Sequence, residues 1–296
     1  MTRVDQFESA FKAAAKTLYE HKPVLIRSVL VLTDLDAAGA AAFGARVRAF
    51  LHVLEEDGAD VVWTIKDGEA FENVRGLLNL VQEVVPDLVV TYRSLHSQAW
   101  PWTTTLGRYV DVLAQEVPMP VLLLPNPHAE AESPESFRGG KPHYERTGTQ
   151  RVMALTSHLT GEHRLVNQAA NLTQRDGTLF LVHVEDDQVF ARYMDAISKI
   201  PAIDTDTARE TIQERLLTEP RDYIRSCAAG LKAADVPLQV EELVVMGHHL
   251  REVRRIVEEH EVNLLILHTK DEDQLAMHGL AYPLVVELRH IPILML

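Results

Sequence analysis

His158, His248, His249 and His268 each follow the carboxyl end of a strand expected from the sequence, and His278 and Asp271 stand in the adjoining loop. Carboxyl ends of parallel strands converge on one crevice, so these side chains are the ones placed to do chemistry. Three or four His and Asp groups within reach of one point suit zinc or a similar metal. His248, His268 and His278 are the ligand candidates on that reading. Their spacing matches no ligand pattern such as H-E-x-x-H, and scattered histidines near loops serve more often as solvated or hydrogen-bonded structural groups. His183, inside "LVHV", reads as a structural strand residue. His290 falls at the end of the last helix, where a cation suits the helix dipole.

Other chemistries find less support. There is no G-x-S-x-G elbow and no G-x-x-x-x-G-K-[ST] loop. A phosphoacceptor domain needs paired acids after its first strand, an Asp after its third and a Lys after its last. "TDLD" supplies the first, but Tyr92 or Arg93 and Pro125 occupy the other places. No catalytic residue is assigned, and the expectation is a protein that is not an enzyme.

The elements that must position these residues are legible as aliphatic runs. Strands are expected at 28–34, 59–68, 86–92 and 120–125, then at 151–157, 178–184, 237–246, 263–268 and 291–296. Helices fill the gaps. Val74, Leu77, Leu78 and Val81 fall at i, i+3, i+4 and i+7, and further helices are expected near 4–19, 162–175, 205–234, 250–259 and 280–289. Short apolar strands alternating with helices mean an α/β fold with parallel sheets covered on both faces. The segment 126–150 is rich in Pro, Gly, Ser and charge and reads as a linker. It divides the chain into units at 1–127 and 150–296, with a connector at 128–149.

The 296 residues are 46% hydrophobic, enough to bury full cores, with a formal net charge of -14. So acidic a chain is a poor partner for nucleic acid or anionic membrane. The single cysteine, Cys227, fits a reducing compartment, and neither a signal peptide nor a membrane-spanning run is expected. The expected location is cytoplasmic.

The two units repeat each other. "GEAFENVRGLLNLV" at 68–81 precedes "DLVV", and "GHHLREVRRIVEEH" at 247–260 precedes "NLLIL". Each begins with the Gly that closes a strand, has an apolar residue three on and Val-Arg six and seven on, and each unit then ends in helix, Pro and a short aliphatic strand. The first copy is shorter by about one strand-helix unit.

With "LVHVED", "ELVVMG" and the closing "VVELRHIPILML", the second unit resembles a universal stress protein (UspA-like) domain along its whole length. "SVLVLTDLDAAGAAAFGARVRAFL" resembles the family's first strand and helix, and the chain resembles a tandem member. An alternative stays open: that run is the family's second strand and the first strand is missing. The resemblance implies two open, doubly wound parallel sheets of the Rossmann-like, adenine nucleotide alpha hydrolase-like kind. It further implies a stress-response role and a dimer, or an intramolecular pseudo-dimer, formed through the last strands. The aliphatic closing strands "VLLLP" and "ILML" are expected to pair with each other or with a second chain.

ATP-binding members of the family carry an Asp after the first strand and a loop G-x2-G-x9-G-[ST]. Glycines there let backbone N–H groups close on phosphates. Aligned from the last strand, the second unit places His268, Asp271, Ala281 and Tyr282 at the four loop positions and Ser157 at the Asp position. All are degenerate, and "KDEDQ" adds negative charge where phosphate would sit. The first unit keeps Asp34, after Thr33, and places Ser94, Ser97, Gly107 and Arg108 at the loop positions. Arg93 or Arg108 would pair with a phosphate. The "AWPW" insert would stack a base or cap a hydrophobic edge. The first unit is therefore the better nucleotide candidate, and the cofactor is either none or an adenine nucleotide such as ATP.

Overall fold

The computed structural model describes residues 19–56, 58–97, 105–127, 148–156, 163–200, 204–269 and 281–296. The first half contains β1 (Ser28–Leu32), α1 (Ala37–Phe50), β2 (Val62–Lys66), α2 (Val74–Val84), β3 (Leu88–Tyr92), α3 (Arg108–Glu116) and β4 (Val121–Leu124). The second contains β5 (Arg151–Thr156), α4 (His163–Leu172), β6 (Thr178–Asp186), α5 (Asp187–Ser198), α6 (Thr205–Ala233), β7 (Gln239–Gly247), α7 (His249–Glu259), β8 (Leu264–Leu267), α8 (Ala281–Glu287) and β9 (Ile293–Met295). All nine expected strands form. Helix α5 was not expected; Asp186 caps it by accepting from the Gln188 N–H, and Phe190 and Met194, one turn apart, are its buried residues. The expected helix at 4–19, most of the linker and the "AWPW" insert lie outside the described residues.

The strands make one sheet in the order β2-β1-β3-β4-β9-β8-β5-β6-β7. Every neighbouring pair is parallel except β4 and β9, which run antiparallel with Val121, Leu122 and Leu123 opposite Met295, Leu294 and Ile293. The two open sheets expected from the sequence are thus continuous through their closing strands. The residues at this seam are fully buried aliphatics, so each strand covers what would otherwise be the other's exposed edge.

The halves superimpose strand for strand around the seam, except that β7 has no counterpart outside β2 among the described residues. The register of Ser28–Leu32 follows: β1 lies between β2 and β3 as β5 lies between β6 and β8. A shared device anchors both central strands. Asp87 accepts from the N–H groups of Arg27 (2.8 Å) and Ser28 (2.9 Å), and Asn263 accepts from that of Arg151 (2.9 Å). The chain before β1 straps the halves together: Tyr19 donates its hydroxyl to Asn167 on α4 at 2.6 Å. Gly230 on α6 permits this, because a Cβ there would lie 2.5 Å from the Tyr19 ring.

Truncating a fully buried seam residue removes contacts from both halves at once. Leu294→Ala is expected to lower unfolding free energy by about 2–5 kcal/mol, read as a drop in urea midpoint with one transition retained.

Candidate functional site

The switch point of the first half lies between β1 and β3, where strand order reverses and ligands of open α/β sheets bind. Its walls are built locally. Past β1, the Thr33 hydroxyl donates to the Lys66 carbonyl (3.3 Å) and accepts the Leu35 N–H (3.3 Å). The turn after β2 lies against this segment, with the Gly68 N–H donating to Leu35 at 2.8 Å. A Cβ at Gly68 would sit 2.8 Å from the Asp34 carbonyl oxygen. Across the crevice, Ser94 has a positive φ of 59° and donates its N–H to Leu106 at 2.8 Å. Gly107 (φ 93°) accommodates that approach, because a Cβ there would lie 2.8 Å from Ser94 Cα.

The sequence candidates Thr33, Asp34, Ser94, Ser97 and Gly107 therefore do assemble at one end of the sheet. Arg108, the first residue of α3, is exposed. What the sequence did not disclose is how the crevice is filled. Tyr92, fully buried at the end of β3, donates its hydroxyl to Asp34 Oδ1 and accepts the Asp34 N–H at 3.1 Å. Asp34 Oδ2 accepts the N–H of His96 at 2.6 Å. Burial, and then the Asp34 partner, raise the Tyr92 phenol far above its usual range, so it remains a donor. Around this core, the ring of His96 lies 4.9 Å from Phe71 and 5.2 Å from Tyr109, and the Tyr109 hydroxyl donates to the Glu72 carbonyl. One aromatic trio thus ties together the loops after β2 and β3 and the first turn of α3. Both Asp34 oxygens are held by the protein's own donors.

The second half uses the corresponding positions differently. Val29 pairs with Leu88 and Val152 with Leu264, so counting along the strands sets His268 at the place of Tyr92 and Thr269 at that of Arg93. Thr269 donates both its N–H (3.0 Å) and its hydroxyl (3.1 Å) to the Leu296 carbonyl. Tyr282 reaches the other half and donates to Asp111 Oδ1 on α3 at 3.3 Å. Ala281 is buried at the start of α8. Ser157, His158, Asp271 and His278 lie outside the described residues.

Of the metal candidates, His248 is exposed at the N-cap of α7, and His268 is half-buried after β8. Among the described residues no group of three or more His, Cys, Asp or Glu side chains could hold a metal. His183 is buried, with Nδ1 3.3 Å from the Thr156 hydroxyl and Nε2 3.4 Å from Glu185. His290 does lie just past α8, with an exposed side chain; partial desolvation of its ring, and then the guanidiniums of Arg289, Arg254 and Arg93, lower its pKa. These effects outweigh the helix end that was expected to favour its charge. Two clefts lie elsewhere: one of about 600 Å³ between α6 and β7, lined by Ala229, Lys232 and Val240, and one of about 320 Å³ lined by His21, Val53 and Arg175.

Residues 148–279 match the model of the Universal stress protein family. A functionally unknown protein from Pseudomonas aeruginosa PAO1 is similar over 92% of this chain and 92% of its own, with 15% identity and a TM-score of 0.53. A candidate universal stress protein from Pseudomonas aeruginosa UCBPP-PA14 is similar over 92% of this chain and 93% of its own, with 14% identity and a TM-score of 0.53. At these identities the likeness concerns the fold. No curated protein matches the chain in sequence.

Two predictions test the geometry. Tyr92→Phe removes a hydrogen bond to a carboxylate and is expected to cost about 1.5–3 kcal/mol in urea unfolding. Asp111 gives a pH signature. Burial raises its pKa, against the opposing hydrogen bonds from Thr105 and Tyr282. A carboxyl whose pKa is raised by folding adds stability below its unfolded pKa and loses it as pH rises through the folded value. Asp111→Asn is therefore expected to be more stable than the parent at neutral pH, with the gain vanishing below about pH 4; parallel thermal melts across that range check it.

Proposed function

We propose that the chain, whose residues 148–279 match the Universal stress protein family, is a non-enzymatic regulatory binding module of the stress response, with a first-half crevice that does not take ATP. The observation that carries this reading is the double occupation of Asp34 by Tyr92 and His96. A nucleotide that needed this carboxylate would have to break two hydrogen bonds and part the Phe71–His96–Tyr109 trio. For the second half the support is chemical. His268, Asp271, Ala281 and Tyr282 put no glycine at the loop positions, and 270–274 carry three acids against one lysine. Phosphate would meet like charge there.

On this proposal the two halves act as an intramolecular pseudo-dimer, and regulation runs through contacts with other proteins. The pairing of β4 with β9 supports it, since neither closing strand then needs a second chain to cover it.

Thermal melts of the purified protein with and without millimolar ATP and Mg²⁺ test the reading. A ligand at a hundred times its Kd adds about 2.7 kcal/mol, which is about 5–10 °C in Tm for a domain of 150–250 residues. No shift is expected. A saturable rise that Asp34→Ala removes would overturn the proposal.

A further inference from the structure

The seam holds a charge that no carboxylate of the described residues balances. Arg93 follows β3 and is only 6% exposed. Its Nη2 donates to the Leu288 carbonyl at 2.9 Å, just past α8, while its buried Nε has no acceptor. Among the described residues no carboxylate pairs with it. Burial first, and then the charge of Arg289, push its pKa down to about 9, so it stays charged at neutral pH. Arg289 is half-exposed and, like Arg93, takes part in none of the ion pairs of the described residues. His290 and Arg254 complete the group. Arg254 is balanced by Glu258 (2.8 Å) and Glu287 (3.5 Å), leaving Arg93 and Arg289 without an ion pair among the described residues of a chain of net charge -14.

This arrangement is not demanded by the fold. At the matching place in the second half stands a neutral side chain, Thr269, which makes two hydrogen bonds to Leu296. Burying an unpaired guanidinium costs several kcal/mol, and a neutral residue would avoid that cost. The planar donor fork of arginine fits the oxygens of a tetrahedral oxyanion. Arg289 is partly exposed and His290 exposed, just before the amino end of β9, which runs beside the carboxyl end of β4 and not in the crevice between β1 and β3.

We propose that Arg93, Arg289 and His290 form a binding site for a phosphate or phosphoryl group at the seam between the two halves. The anion supplies the negative charge that Arg93 lacks and bridges β3 to the segment joining α8 to β9. It also reduces the repulsion among Arg93, Arg289, Arg254 and His290, where the charge of Glu258 favours protonated His290. Binding should therefore raise the His290 pKa.

Inorganic phosphate is the probe, titrated into the full chain against chloride at constant ionic strength. A saturable rise in Tm is expected for the parent and its loss in Arg289→Gln, a change at a half-exposed site. Arg93→Met should melt no lower than the parent in chloride, because it removes an unpaired buried cation, and should not respond to phosphate. Phosphoserine in a second arm separates a free ion from a phosphoryl group carried on a larger molecule, according to which saturates at the lower concentration. The His290 imidazole resonance, assigned by its loss in His290→Gln, should titrate at higher pH with phosphate present. An absent phosphate response, or an equal response in parent and Arg289→Gln, overturns the proposal. So does an Arg93→Met protein that folds but still responds. An ATP effect removed by Arg289→Gln and kept in Asp34→Ala belongs to this seam; the reverse pattern belongs to the crevice.

Discussion

The antiparallel pairing of β4 with β9 is the constraint on which the rest of the molecule depends. Three residue pairs, Val121–Met295, Leu122–Leu294 and Leu123–Ile293, convert two open sheets into one. Each open sheet alone would present a short aliphatic edge to water, with unpaired backbone groups and side chains that cannot be solvated. Joined, the strands satisfy both needs together. The junction also fixes which loops meet. Because β9 runs against β4, its amino end lies beside the carboxyl ends of β3 and β4. That brings Arg93 to Leu288; nearby, Tyr282 on α8 meets Asp111 on α3.

The halves agree at the starts of their central strands and differ past the ends of β3 and β8. Asp87 and Asn263 do the same work at the start of β1 and β5, each accepting main-chain N–H groups. Thr33 and Thr156 each send a hydroxyl to a carbonyl of the neighbouring strand. Such positions are set by strand geometry, which the halves share. Tyr92 and His268, or Arg93 and Thr269, occupy equivalent places with different chemistry. There the backbone asks only for a residue that does not break the strand, and the side chain is left to the crevice or the seam.

This division also explains what could be read from the sequence. Strands announced themselves as aliphatic runs because both faces of a parallel sheet are buried. The pairing of the closing strands was one of two expected outcomes, since an exposed "VLLL" edge has few alternatives. The place of Ser28–Leu32 was left open, because period and composition do not distinguish a first from a second strand; hydrogen bonding on both sides of β1 does. Helix α5 was missed because it follows β6 without a turn, Asp186 ending the strand and capping the helix. The candidates around Asp34 were named from motif position, and they do assemble. Their engagement was not legible: Tyr92 lies 58 residues from Asp34 and Arg93 lies 195 from Leu288. Periodicity records which face of a strand is buried. It carries nothing about which distant polar atom a side chain will meet.

Half-buried Asp34 and buried Arg93 show how two charges of the first half can stand in opposite conditions. Asp34 is a carboxylate with both oxygens committed to donors of the loop that faces it. Further ligand contact there would have to displace a bond already made, and its free energy would be a difference between two similar terms. Arg93 is a cation with one donor used and another idle, among like charges. An anion arriving there displaces no protein partner and relieves repulsion as it binds. On the proposal made above, the electrostatic drive toward a ligand therefore lies outside the crevice, at the junction where the two halves meet.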